Sequence, residues 1–207
     1  MSLQTTTPTD AAEAPGAPET PAGQAPAAPA PSRLRLLLRE ILETILLTAI
    51  IYAAVNFATG RFRVEGDSMQ PNLHPEQYVL VDKVSYRLGQ PRRGDIVVFQ
   101  YPLATERDFI KRVIGLPGET VTVTGGAVSI NGQPLNEPYI AAPPTYNNTW
   151  TLGPDQYFVL GDNRNNSSDS HNWGPLNRQY LIGRAVFVYW PPDGWGLVPH
   201  YIYASTP

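Results

Sequence analysis

Apolar positions along the chain form one long run and then many short alternating ones. The stretch Arg33-Leu34-Arg35-Leu36-Leu37-Leu38-Arg39-Glu40-Ile41-Leu42-Glu43 places most of its charges on one helical face, and the 17 residues from Thr44 to Gly60 carry no charge. This pattern predicts a helix entered after Pro31, with Ser32 as its N-cap. A run of that length is at the lower limit of the roughly 17 to 25 residues needed to cross an apolar bilayer core of roughly 30 Å. The preceding leucine-rich turns lengthen the span if Arg39, Glu40 and Glu43 reach toward the interface. The expectation is a single membrane helix over residues 32–60, with a buried or interface-lying amphipathic helix as the alternative. After Arg61 the pattern changes to short β-type runs at 62–65, 78–84, 95–101, 109–114, 120–124, 127–130, 156–160 and 183–190. Gly125-Gly126 between two alternating runs predicts a hairpin, and Asn131-Gly132 predicts another turn. With no long helical pattern there, residues 61–207 are expected to form one mostly-β domain.

Composition adds a third segment and removes several functions. Residues 1–31 hold seven of the 22 prolines and almost no large apolar side chain, so a disordered tail is expected. They lack the basic region and cleavage site of a removable secretory signal. From Arg61 onward 12 Lys plus Arg face 13 Asp plus Glu, without the basic surface that nucleic-acid phosphates require, so no nucleic-acid partner is expected. There is no cysteine, which excludes disulfides and thiolate metal sites. His74, His171 and His200 lack metal-ligand spacing, and neither a metal nor another cofactor is expected. Three arginines precede the apolar run and two, Arg61 and Arg63, follow it, so charge favours a cytoplasmic N-terminus by a narrow margin. Trp190, Trp195 and nearby tyrosines suit either a membrane-contacting surface or the closing core of the domain.

Two residues suggest chemistry. A serine hydroxyl is a poor nucleophile at neutral pH, and an uncharged lysine amine made available by burial can serve as its base. Arginine cannot lose its proton, and the chain has only two lysines, so the candidate amine bases are Lys111, Lys83 and the N-terminus. Taken alone, Ser68 reads as a turn residue and Lys111 as a solvated strand residue. Alternation along a strand puts Lys111 and Arg112 on opposite faces, so the amine can enter an apolar site while its permanently charged neighbour need not.

Four blocks then match one family in order: Gly66-Asp67-Ser68-Met69-Gln70-Pro71-Asn72-Leu73, Gly94-Asp95-Ile96-Val97-Val98-Phe99, Lys111-Arg112-Val113-Ile114-Gly115-Leu116-Pro117-Gly118-Glu119, and Gly161-Asp162-Asn163-Arg164-Asn165-Asn166-Ser167-Ser168-Asp169-Ser170. From the anchor to about Trp190 the chain resembles the bacterial type I signal peptidases. These are membrane-anchored Ser-Lys endopeptidases that remove signal peptides from exported preproteins.

The resemblance implies a single β-rich catalytic domain after one transmembrane helix, standing on the outer face of the cell membrane. It implies Ser68 as nucleophile and Lys111 as base, with no cofactor, and signal peptides of secreted preproteins as substrates. Ser167 would hydrogen-bond the Lys111 amine, and Asp169 would hold the loop. The Ser68 backbone N–H would receive the oxyanion. Gly66 stands where some members carry a serine that helps there, so the second donor is open. Phe62, Val64 and Ile110 would line small pockets for the residues at −1 and −3 of the substrate, or simply pack as core, and Met69 would pack beneath the nucleophile. Two departures matter: Asn72 replaces a threonine, and His171 replaces the usual arginine, which turns a salt bridge with Asp169 into a weaker, pH-dependent pair. Two rival readings are an inactive tethered β-domain that only binds chains, and a self-cleaving Ser-Lys repressor. The intact Ser68, Lys111 and Ser167 set argues against the first. The anchor and the lack of a DNA-binding module argue against the second.

Overall fold

A computed structural model describes residues 33–203. The expected tail over 1–31 and the Ser32 cap lie outside them. The apolar run forms one helix, α1 (Arg33–Ala58), with no buried residue along it. It is long and apolar enough to cross a membrane, with a mean hydropathy of 1.9. At 1.5 Å per residue its 26 residues extend about 39 Å. One correction concerns its end. Thr59 and Gly60, expected in the helix, open the first strand instead. The uncharged helical segment from Thr44 therefore spans only about 22 Å, and a complete crossing must include the leucines around Arg39. There the i,i+4 pair Arg39 to Glu43, at 2.6 Å, softens the charge.

The remainder is antiparallel β structure. Its strands are β1 (Thr59–Arg63), β2 (Tyr78–Asp82), β3 (Ile96–Gln100), β4 (Asp108–Gly115), β5 (Thr120–Thr124), β6 (Ala127–Ile130), β7 (Gln133–Pro134), β8 (Asn148–Thr151), β9 (Gln156–Leu160), β10 (Leu176–Asn177), β11 (Leu181–Trp190) and β12 (Gly196–Leu197). An eight-stranded sheet runs β1-β2-β11-β3-β4-β9-β10, with β12 beside β11. A four-stranded sheet runs β7-β6-β5-β8. The expected hairpin joins β5 to β6 through Gly125 and Gly126, both at positive φ. Strands β7, β8, β10 and β12 escaped the sequence reading because they are two to four residues long and mostly polar. Two helices of four residues each, α2 (Ser85–Leu88) and α3 (Ser170–Trp173), sit in loops.

Alternation along the strands builds separate cores on the sheet. One gathers Val64, Met69, Leu73, Val79, Ile96, Val98, Ile110 and Ala185. Another gathers Val97, Phe99, Val113, Tyr157, Val159 and Leu176. A third joins Ile114 and Leu160 to the inner face of the four-stranded sheet. Trp190 and Trp195 close none of them. Both are exposed, as are Leu197 and Ile202, so the closing-core reading is corrected for the two tryptophans, while Tyr201 and Tyr203 do pack against the third core.

Candidate active site

Ser68 lies in the turn that follows β1, and the sequence makes that turn tight. Gln70 N–H donates to Asp67 O, and the N–H groups of Asn72 and Leu73 both donate to Met69 O. Met69 is fully buried in the first core and anchors the turn from below. Gly66 supplies the left-handed backbone, at φ +71°, which a side chain rarely adopts. Asn72 donates to Tyr139 O at 2.7 Å and to Asp162 Oδ2 at 2.8 Å, a bridging role that an amide can fill. The loop after β9 runs directly against the turn, with Asn163 N–H donating to Ser68 O at 3.0 Å. A Cβ at Gly161 would collide with Ser68 O and with Ser167 Oγ, so only glycine permits this approach.

Lys111 reaches the same place from the middle of β4, where it pairs with Val97 of β3. Its Nζ donates to Ser68 Oγ at 2.7 Å and to Ile110 O at 2.9 Å. The side chain is 4% exposed. Burial pushes its ammonium down to about 8, against the opposing pull of the Asp169 and Asp162 carboxylates. An amine with that value is neutral in a useful fraction of molecules near neutral pH, and it touches the hydroxyl it would deprotonate. Lys83, the other lysine, lies in the loop after β2 and does not line the cleft that Ser68 and Lys111 share.

Arg112 has a partner that the sequence left open. It points to the opposite face from Lys111, yet it too is fully buried. Its Nε and Nη2 donate to Asp162 Oδ1 and Oδ2, both at 2.8 Å, Nη1 donates to Gly94 O at 2.9 Å, and the guanidinium lies over the Tyr139 ring. This ties the second, third and fourth sequence blocks together. The signal was present in the string, since Arg112 stands in an unbroken β run between Ile110 and Ile114, but its partner is 50 residues away.

Ser167 requires a correction. The expected hydrogen bond to Lys111 is not made. Its Oγ is buried against Gly161 and has no hydrogen-bond partner among the described residues, while the Lys111 amine bonds Ser68 and Ile110. Asp169 is fully buried and caps α3. Its Oδ2 accepts from Gly161 N–H at 2.9 Å, and its Oδ1 accepts from His171 N–H at 3.1 Å and pairs with His171 Nδ1 at 2.7 Å. The imidazole stacks on Tyr146, with centroids 4.0 Å apart. His200, by contrast, is a half-buried imidazole with a structural role. It accepts from Ile96 N–H and donates to Ala185 O, and burial with the charge of Arg184 pushes it down to about 4.

A cleft of about 610 Å³ opens beside the serine. Phe62, Val64 and Ile110 line it together with Ser68 and Lys111, as do Val79, Val98, Phe109, Arg107 and Ser168, which sequence reasoning did not single out. Among the described residues strand β1 is the edge of its sheet, and its residues Arg61, Phe62 and Arg63 line this cleft.

The family described as "Signal peptidase, peptidase S26" matches residues 37–190. The chain belongs to that family. It is 46% identical to the "Signal peptidase I" of Leptolyngbya laminosa, over 86% of this chain and 92% of that protein. It is 36% identical to "Signal peptidase I S" of Bacillus subtilis, over 70% of this chain and 86% of that one. A crystal structure of a signal peptidase I from Enterococcus faecalis V583 is 35% identical, covers 45% of this chain and 95% of its own, and superposes with a TM-score of 0.43. Membership makes the chain a serine peptidase, and the long apolar helix α1 fits a membrane-anchored protein.

Proposed function

We propose that the protein cleaves N-terminal signal peptides from exported preproteins, after small residues at −1 and −3, by a Ser68-Lys111 dyad. The observation that carries this reading is the 2.7 Å contact between a buried lysine amine and the Ser68 hydroxyl. Once neutral, the amine accepts the Ser68 proton as Oγ attacks the peptide carbonyl, and it then protonates the leaving nitrogen. The same amine next activates a water that hydrolyses the acyl-enzyme. The Ser68 backbone N–H receives the oxyanion. Gly66 has no side chain to add a second donor, and donors of this kind are each worth about 10²- to 10³-fold in other hydrolases. Asp169 acts through position, fixing the loop whose Asn163 holds Ser68 O.

The substrate lies extended along the free edge of β1, where main-chain hydrogen bonds give affinity and alternate side chains enter the cleft. Phe62, Val64 and Ile110 line the cleft wall, and as apolar side chains they select for small residues before the cut. The domain over 61–207 stands on the outer face of the membrane, with the N-terminus cytoplasmic, and exposed Trp190, Trp195 and Leu197 suit a face turned to the bilayer. The test is incubation of the purified protein in detergent with a preprotein, followed by sequencing of the new N-terminus. Cleavage after an Ala-X-Ala segment is expected, with a bulky residue at −1 blocking it. Binding of the preprotein without cleavage would favour a tethered binding domain instead.

A further inference from the structure

Away from the cleft, a second pocket of about 310 Å³ is lined by Lys83, Tyr86, Arg87, Arg178, Leu181 and Ile182. Three of these six are cations and none is acidic, which is unusual in a domain whose charges nearly balance. Among the described residues no ion pair involves Lys83, Arg87 or Arg178. The nearest carboxylate in sequence, Asp82, is taken up by the Val84 and Ser85 N–H groups and the Ser85 hydroxyl. Tyr86 commits its hydroxyl to Asp95 at 3.0 Å, outside the set of lining cations. Arg178 uses one guanidinium nitrogen, Nη2, to hold Tyr86 O and Gly89 O, which sets its fork at the pocket wall.

The pocket sits where the membrane helix ends. Lys83 N–H donates to Ala58 O, the last residue of α1, and the Arg87 guanidinium lies 4.3 Å over the Phe57 ring. A residue at the end of an apolar span stands at the depth of the lipid headgroups. The helix C-terminus offers only roughly half a negative charge, against three full positive ones. Lysine and arginine donors converging on a concavity match the oxygens of a phosphate. Leu181, Ile182 and the Tyr86 ring supply the apolar wall that a glycerol backbone would need.

We infer that this pocket binds the phosphate of an anionic phospholipid headgroup and so fixes the depth of the domain against the bilayer. The inference rests on reading α1 as a membrane span and is independent of the dyad. The sequence hid it, because Arg178 lies far along the chain from Lys83 and Arg87.

The experiment places the full-length protein in nanodiscs of phosphatidylcholine mixed with phosphatidylglycerol and counts retained lipids by native mass spectrometry. Wild type should retain phosphatidylglycerol in preference to phosphatidylcholine. Lys83→Gln and Lys83→Gln/Arg87→Gln should lose about fivefold of that preference for each cation removed. Arg92→Gln, an exposed cation outside the pocket, should keep it. Equal retention of the two lipids by wild type overturns the inference without recourse to any variant, and so does an undiminished preference in the double variant. Titration of inorganic phosphate into lipid-free, detergent-solubilised protein separates the source. Thermal stabilisation by phosphate that needs Lys83 and Arg87, without any lipid preference, would make the ligand a soluble phosphate and overturn the lipid assignment. Failure to enter nanodiscs would instead overturn the membrane reading of α1.

Discussion

A lysine that must act as a base has to lose a proton first, and its surroundings decide at what pH that happens. Burial lowers the Lys111 value to about 8. Below that value the amine is an ammonium and cannot accept from Ser68, and above it the amine is free. The specificity constant for preprotein cleavage should therefore rise with pH through a group titrating near 8 and then level off. Ser68→Ala and Lys111→Ala should each lower turnover by about 10⁴- to 10⁶-fold while leaving the domain folded. His171→Arg should leave the ascending limb in place, and a limb that vanished with His171 would make the base a histidine. Ser167 gives a contrasting case at the same scale. Its hydroxyl is buried without a partner among the described residues, so Ser167→Ala should be neutral or stabilising by about 1 kcal/mol in denaturant titrations. A loss of activity of about 100-fold would show that the hydroxyl turns toward the amine during turnover.

Strand β4 carries two cations on opposite faces, and they meet opposite fates. Among the described residues the lysine makes no ion pair, and burial outweighs the pull of Asp169 and Asp162, which keeps its proton removable. The arginine is locked into a bidentate pair with Asp162, which also receives Asn72 from the nucleophile turn. Arg112→Met would leave Asp162 buried and uncompensated, at a cost of roughly 3 to 5 kcal/mol. Thermal unfolding in detergent should show that loss, and Arg112→Met/Asp162→Leu should recover much of it, because replacing both partners removes the unpaired charge. Failure of the double variant to recover would mean that the Gly94, Pro199 and Asn72 contacts, not the ion pair, hold the blocks together.

For the whole molecule, with α1 read as a membrane span, the question is which side holds the cleft. The uncharged helical segment is short, and the arginines on its two sides differ by only one, so sequence charge decides orientation weakly. An outward domain agrees with a substrate that emerges from export. Protease added to intact cells should digest the domain after Arg61 and spare a tag fused before residue 32. A protected domain would reverse the orientation.

The string by itself determined the long apolar helix, because charge-free length is a local property that a bilayer reads directly. It determined the main strands as well. Those at 120–124, 127–130 and 156–160 match the structure residue for residue, since period-two alternation is enforced by one buried face. Ser68 and Lys111 stood out as candidates because lysine is rare here and their blocks carry the family resemblance. Only the tertiary structure decided that these two side chains touch, that Arg112 is buried with Asp162, and that Ser167 faces Gly161 rather than the amine. It alone ended the helix at Ala58, where pairing of β1 with β2 outcompetes one more helical turn. Each of these outcomes depends on partners tens of residues apart. Pairing across a sheet, unlike hydrophobic period or charge, leaves no local mark in the sequence.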